Sequence, residues 1–504
     1  PDLTRADPMT MGPSGGPITR DQTGVETYAT VFAIAPSYFD PEVIWAGSDD
    51  GLVHITRDGG MNWTPVTPPD APDHVRINTI EASPTTPGKA YVSGIRYLVD
   101  DDRSPYIWKT GDYGQSWEKI VGGLPGDDFI RATREDPRRP GLLYAASERT
   151  VYVSFDDGGR WQPLSLNLPV VQVSDLVVEE KDLVIATHGR SFWVLEGIGP
   201  LRQLDEQVAA AGSWLFDPAD PVRGIDNGAR FQYYLAEDVE SVTIEVLDRW
   251  GEVIRTYEGA ARGAEGDEAG PRGGRGGGGR GPSVAQGSHT FNWDLRYPAW
   301  TDFEGRIMWA AGPTGPVAVP GTYTVRMTVD GGAPQTQDFE VRINPNLDGV
   351  TVADLQERFD LAIRIRDRVT EANEAVIKVR DIKGQIDERL EETDNEEIVT
   401  QADVVDENLS VVEAEIYQVR NQSNQDPLNY PIKLNNKLAA LLGVVEGAES
   451  RPTDQSYTVF ERLSALLEEQ LSQMQIVIQR DLGQLNDLLI REGIKPIEGG
   501  RLVS

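Results

Sequence analysis

Hydrophobic positions fall into three successive regimes along the chain. Through residues 1–200 they come as short β-rich runs broken by Gly, Pro and Asp, in three stretches: "VIWAGSDDGLVHITRDGGMNWTPV", then "AYVSG" continued by "YIWKTGDYGQSWEKI", then "LLYAASERTVYVSFDDGGRWQPL". Each stretch reads as strand, turn, strand, turn, strand. One turn recurs three times: "TRDGGMNW" at 56–63, "TGDYGQSW" at 110–117 and "SFDDGGRW" at 154–161. Its Asp58, Asp112 and Asp156 stand 54 and 44 residues apart, the longer interval holding the insertion "YLVDDDRSPY". That period predicts one four-stranded propeller blade per repeat. A fourth stretch, "DLVIATHGRSFWVLEG", keeps the middle strands without the Asp turn.

From 201 to about 346 the alternation becomes regular, in "SVTIEVLDRWGEVIRTYEG", "HTFNWDLRYPAW" and "GTYTVRMTVDG" followed by "QDFEVRIN". These strands predict an immunoglobulin- or fibronectin-like β-sandwich. It is interrupted at about 260–287 by a Gly/Arg-rich insertion whose composition predicts disorder. From 347 to 504 the period turns helical. "VADLQERFDLAIRIRDRVTEANEAVIKVRDIKGQIDERLEE" places Leu355, Phe359, Ile363 and Val369 at helical spacing, and three further helices follow near 396–421, 430–448 and 453–493. The expectation is a C-terminal antiparallel bundle of four helices, with oligomerisation through an exposed apolar stripe as the alternative.

Composition bounds the chemistry. The 504 residues call for two to four domains, and 39% hydrophobic with 25% charged residues suits a globular protein. No window of 18 apolar residues exists, so no membrane span is expected. The opening "PDLTRADPMTMGPSGGP" has neither a basic start nor an apolar core, so any export signal is expected upstream. A net charge of −34 opposes nucleic acid. Zero Cys and four scattered His remove thiolate and zinc sites, so no metal or cofactor is expected.

The repeated turn has a physical reason. Asp accepts backbone N–H groups, Gly60, Gly114 and Gly158 supply positive φ, and Trp63, Trp117 and Trp161 bury against a neighbouring blade. Its Ser/Thr-x-Asp-x-Gly-x-x-Trp pattern resembles the Asp-box, or bacterial neuraminidase, repeat of sialidases, xyloglucanase-like glycoside hydrolases and the sortilin propeller. Together with "THGRSFWVLEG" and "YPIKLNNKLAALLGVVEGAESRPTDQSY", the chain is similar to exported bacterial proteins labelled glycosyl hydrolase or sortilin-like. The resemblance implies a multidomain β + α protein, periplasmic or extracellular. The count of about four blades lies at the rare end for a closed ring, so a partial β-propeller is expected, completed by blades upstream or on a partner chain. The resemblance assigns no catalytic residue.

Candidate chemistry collects on the face opposite the Asp turns. Loops there carry Asp49, Asp50, Arg96, Asp100 to Asp102, Glu148, Arg149, His188 and Arg190, and the connections between blades add Asp73, Arg76, Asp127, Asp128 and Arg131. Arg76, Arg96, Arg131, His188 and Arg190 are the candidate contacts to a polar ligand, peptide or glycan. A glycoside hydrolase needs two carboxylates, for which Asp49 or Asp50 with Asp128 or Glu148 are the candidates. The competing reading has these acids pairing with the neighbouring arginines and capping turns. Asp100 to Asp102 read as a solvated loop or as part of a Ca²⁺ site.

Overall fold

A computed structural model describes residues 2–6, 28–98, 101–260 and 281–499. Two compact units divide the chain, residues 1–209 and 210–504.

The first unit is built from four small antiparallel sheets. The first comprises Val31–Pro36, Ile44–Ser48, Val53–Thr56 and Thr64–Pro65, in chain order. Next come Arg76–Ala82, Ala90–Arg96, Asp102–Thr110 and Glu118–Lys119. The third holds Ile130–Glu135, Leu143–Ser147, Val151–Ser154 and Gln162–Pro163. In the fourth, among the described residues, three strands pair: Val173–Val178, Leu183–Thr187 and Phe192–Leu195. The first strands of successive sheets pack on one another. Both faces of the inner sheets are therefore covered, and Leu143–Ser147 is buried at every position. Trp45, Val53, Ile77 and Trp108 fill the core at the first two sheets, and Tyr91, Ile107, Leu143 and Trp161 that at the second and third.

The three Asp turns close in the same way. Asp58 Oδ1 accepts from Thr56 Oγ1 at 2.8 Å and from Asn62 N at 2.9 Å. Asp112 Oδ1 accepts from Thr110 Oγ1 and Ser116 N at 2.9 and 2.8 Å, and Asp156 Oδ1 from Ser154 Oγ and Arg160 N at 2.7 and 2.9 Å. Gly60, Gly114 and Gly158 have φ of 94°, 80° and 88°. A side chain would be strained there.

In the second unit a three-stranded sheet, Ser213–Leu215, Ala229–Leu235 and Gly287–Trp293, shares a core with a four-stranded one ordered Val253–Ala260, Ser241–Leu247, Gly321–Val329, Gln335–Val341. Of the expected insertion at 260–287, residues 261–280 lie outside the described residues. The stretch after it is anchored: Val239 N donates to Val284 O, Gln286 N to Asp238, and a strand begins at Gly287.

Helices follow at Val352–Leu390, Glu396–Ile416, Leu434–Glu446 and Asp454–Val477, the last running through a π-turn, Ile478–Leu482, into Gly483–Arg491. Thr351 and Asp354 form a reciprocal capping box at the first helix. Trp300, from the loop preceding Gly321–Val329, is buried in the helical core. Asn373 Nδ2 donates to Thr301 O at 2.7 Å, and Asn436 both accepts from Trp309 N and donates to Trp309 O, at 2.7 and 3.0 Å. Glu449 accepts from Arg223 at 2.9 Å and from Arg358 at 3.3 Å, two guanidinium side chains only 2% and 1% exposed.

Candidate functional site: the first strands of the four sheets

Each first strand carries the same irregularity. Pairing with the second strand slips by one residue between Val31 and Ala33, Ile77 and Thr79, Ile130 and Ala132, and Val173 and Asp175. The extra residues are Phe32, Asn78, Arg131 and Ser174. A bulge re-aims the side chain it carries, and bulges gather beside binding and active sites. One polar contact links two of these positions across sheets, and another holds Ser174 from just ahead of its own strand. Asn78 Nδ2 donates to Arg131 O at 2.5 Å, and Gln172 Nε2 to Ser174 Oγ at 3.3 Å. Phe32 is half exposed, with the Arg76 guanidinium 4.8 Å over its ring. Arg131 lies over Phe129, which stacks on Tyr97 at 4.8 Å.

Further along the strands, Ala35, Glu81, Arg134 and Val177 share one register position, paired to Trp45, Tyr91, Tyr144 and Val184. Arg134 is held there between two acids: Nη2 lies 2.9 Å from Asp175 and Nη1 lies 3.6 Å from Glu81. Its Nε donates to Leu176 O at 3.2 Å. Burial pushes the Glu81 carboxyl up to about 7, because a guanidinium shared with Asp175 offsets only part of the desolvation. Burial and the Glu81 charge push the Tyr38 phenol up as well.

The loop acids singled out from sequence separate into different roles. Asp50 is buried, accepting from Ser48 Oγ at 2.5 Å and Arg5 N at 2.6 Å. Asp128 is fully buried; Oδ2 accepts from Ser147 Oγ and Tyr152 Oη, both at 2.9 Å. Asp49 accepts from Thr30 N at 2.8 Å, and burial pushes its carboxyl up. Glu148 takes both Nε and Nη2 of Arg131, at 2.8 and 2.7 Å. Asp127 takes Arg149 at 2.8 Å. Arg96 donates to Asp73 O at 3.0 Å and lies 3.4 Å from Asp102. His188 and Arg190 are exposed on the loop of the fourth sheet, where their backbones bond Gln172 and Trp193. Asp100 lies outside the described residues; Asp101 pairs with Arg103 and Asp102 accepts from Tyr106. Among the described residues no cluster of three His, Asp or Glu is arranged to hold a metal.

Arg131 is the one proposed ligand contact that lies at a bulge. Phe32, Asn78, Ser174 and the Glu81, Arg134, Asp175 group are absent from the sequence reading. A signal was present for the second group: Ala35, Glu81 and Arg134 each stand ten residues before Trp45, Tyr91 and Tyr144.

No family model and no curated protein matches the chain. Several solved structures do, at low identity. "YCF48 bound to D1 peptide" matches at 19% identity and TM-score 0.26, covering 41% of this chain and 61% of that one. The GH74 xyloglucanase from Xanthomonas campestris matches at 17% and 0.25, over 62% of this chain and 48% of that one. PorZ, a surface component of the type-IX secretion system of Porphyromonas gingivalis, matches at 12% and 0.21, over 62% and 51%. The matched part of this chain thus spans about three-fifths of the first of these proteins and about half of the other two. Among the described residues no helix is long and apolar enough to cross a membrane.

Proposed function

We propose that the four sheets are blades of a β-propeller in an exported protein, and that the wall formed by their first strands binds a polar ligand, a peptide or glycan. The observation that carries this reading is the bulge repeated at one register in all four strands. It sets an aromatic ring, an amide, a guanidinium and a hydroxyl, from Phe32, Asn78, Arg131 and Ser174, at matching positions, a mixture suited to amides and sugar hydroxyls. In the same reading residues 210–346 form an immunoglobulin- or fibronectin-like sandwich, and the helices serve as spacer and assembly platform.

Glycan- and peptide-array binding by the full chain tests it. Saturable binding is expected, weakened at least tenfold by Phe32→Ala and by Asn78→Ala. Binding left unchanged by both variants would remove the site from this wall. A second reading, glycoside hydrolysis, draws support from Glu81, whose carboxyl titrates near neutral pH as a general acid requires, with half-exposed Asp175 as the second carboxylate. Turnover on an array glycan that disappears in Glu81→Gln supports hydrolysis; its absence in the native chain across the array rejects it.

A further inference from the structure

The outer edge of the fourth sheet differs from the other three in a regular way. In the first three sheets one segment, "WTPV", "WEKI" or "WQPL", follows the Asp turn and makes one kind of contact in all three sheets and a second in the latter two. Its last residue donates a backbone N–H to the third strand: Val66 N to Val53 O at 2.8 Å, Ile120 N to Ile107 O at 2.9 Å and Leu164 N to Val151 O at 2.8 Å. Its Trp reaches back to the preceding sheet: Trp117 Nε1 donates to Val66 O at 2.7 Å and Trp161 Nε1 to Ile120 O at 2.8 Å.

Register carries both acceptors into the fourth sheet. Val53, Ile107 and Val151 pair with Gly47, Ser93 and Ala146; the corresponding pair is Phe192 with Ala186. Phe192 O thus stands where Val53, Ile107 and Val151 accept, and Leu164 O stands where Val66 and Ile120 accept. Among the described residues no such segment pairs with Phe192–Leu195. Exposure agrees: Val53, Ile107 and Val151 are 0%, 0% and 2% exposed, whereas Phe192 is 74% and Val194 52% exposed. The loop beyond Leu164 carries exposed Leu166 and Val170.

We propose that this edge is a docking site for an extended partner segment of the form Trp-x-x-aliphatic, which adds antiparallel to Phe192–Leu195 as the outer strand. The indole N–H of the segment donates to Leu164 O and the aliphatic residue's N–H to Phe192 O. Strand addition draws affinity from main-chain bonds and specificity from side chains at alternate positions. Here the Trp supplies specificity, filling against the third sheet the place that Trp161 fills against the second. Three outer-strand pairings and two indole contacts already present in the molecule define this occupant, which is independent of the ligand reading of the first strands.

The test is titration of the full chain with the synthetic peptide GGRWQPLSL, residues 158–166 of this chain, followed by calorimetry and by hydrogen exchange. One-to-one binding is expected, with slowed exchange at the Val194 amide, whose N–H faces outward two residues from Phe192. Peptides with Trp161→Ala, or N-methylated at Leu164, should bind at least tenfold more weakly. Val194→Pro in the protein, which removes only an outward N–H, should abolish binding with the thermal midpoint preserved. No binding, equal binding of the altered peptides, or slowed exchange at 151–154 instead of 192–195 would each overturn the proposal. So would a dimer in which 192–195 is already protected before peptide is added, since the occupant is then a second copy.

Discussion

Glu81 offers a measurable consequence of burying an acid beside an arginine that it must share. Its carboxyl is pushed from an ordinary 4.5 to about 7, chiefly by burial. Between those two values the folded chain holds a proton at Glu81 that the unfolded chain has lost. Stability therefore falls as pH rises from about 4.5 to about 7 and is level above it. At roughly 1.4 kcal/mol for each pH unit of that interval, the cost in place above pH 7 is on the order of 3 kcal/mol. Glu81→Gln keeps the shape, removes the ionisation and leaves Arg134 its closer contact with Asp175, 2.9 Å away. The variant should approach the native chain below about pH 4.5 and be the more stable of the two by roughly 1–3 kcal/mol at pH 8, the net shift already including the Arg134 attraction and the lower figure allowing for an amide in place of a neutral acid. Thermal midpoints of both proteins at half-unit steps from pH 4.5 to 8.5 measure the gap. A gap that stays constant with pH, or one that favours the native chain as pH rises, would refute the reasoning.

Three further outcomes follow from the packing. Trp161→Ala removes a buried indole and orphans Ile120 O, at a cost of about 3–5 kcal/mol in denaturant unfolding; the same change at the less buried Trp63 should cost markedly less. Gly158→Ala places a methyl group 2.4 Å from Ile120 Cδ1 at a φ of +88°, and should lower stability by roughly 1–3 kcal/mol, whereas Gly126→Ala, which meets nothing within 4 Å, should be near neutral. Glu449→Ala leaves Arg223 and Arg358 buried without their shared carboxylate and should cost about 3–5 kcal/mol. Differential scanning calorimetry should then show the transition of residues 210–504 displaced and that of 1–209 in place.

What was legible from sequence was local. The Asp turns close through contacts between residues two and four apart, and the helices announce themselves by a period that needs no partner, so both could be read along the chain. Arg131 and Glu148 were legible as charges on the face opposite the Asp turns but not as a pair. The register between strands brings them together, and once together they neutralise each other. Asp50 and Asp128 look like any loop acid in sequence, yet strand serines two residues before one and nineteen after the other take them into the interior. The bulges at Phe32, Asn78, Arg131 and Ser174 were invisible because a bulge is a property of two strands. The Glu81, Arg134 and Asp175 group needed three sheets to be stacked before it existed.

The loop that carries Trp300 into the helices, and is tied to them through the backbone of Trp309, bears on how this molecule could be inherited. Its tryptophan sits inside another element's core, and Asn373 and Asn436 are spent on its backbone. A recombination joint at the apparent seam near residue 346 would hand one descendant a sheet pair trailing an indole with nowhere to go, and the other a set of helices with a hole. Shuffling that respects chemistry must move residues 210 onward together, so a seam plainly visible in the sequence is not a place to cut.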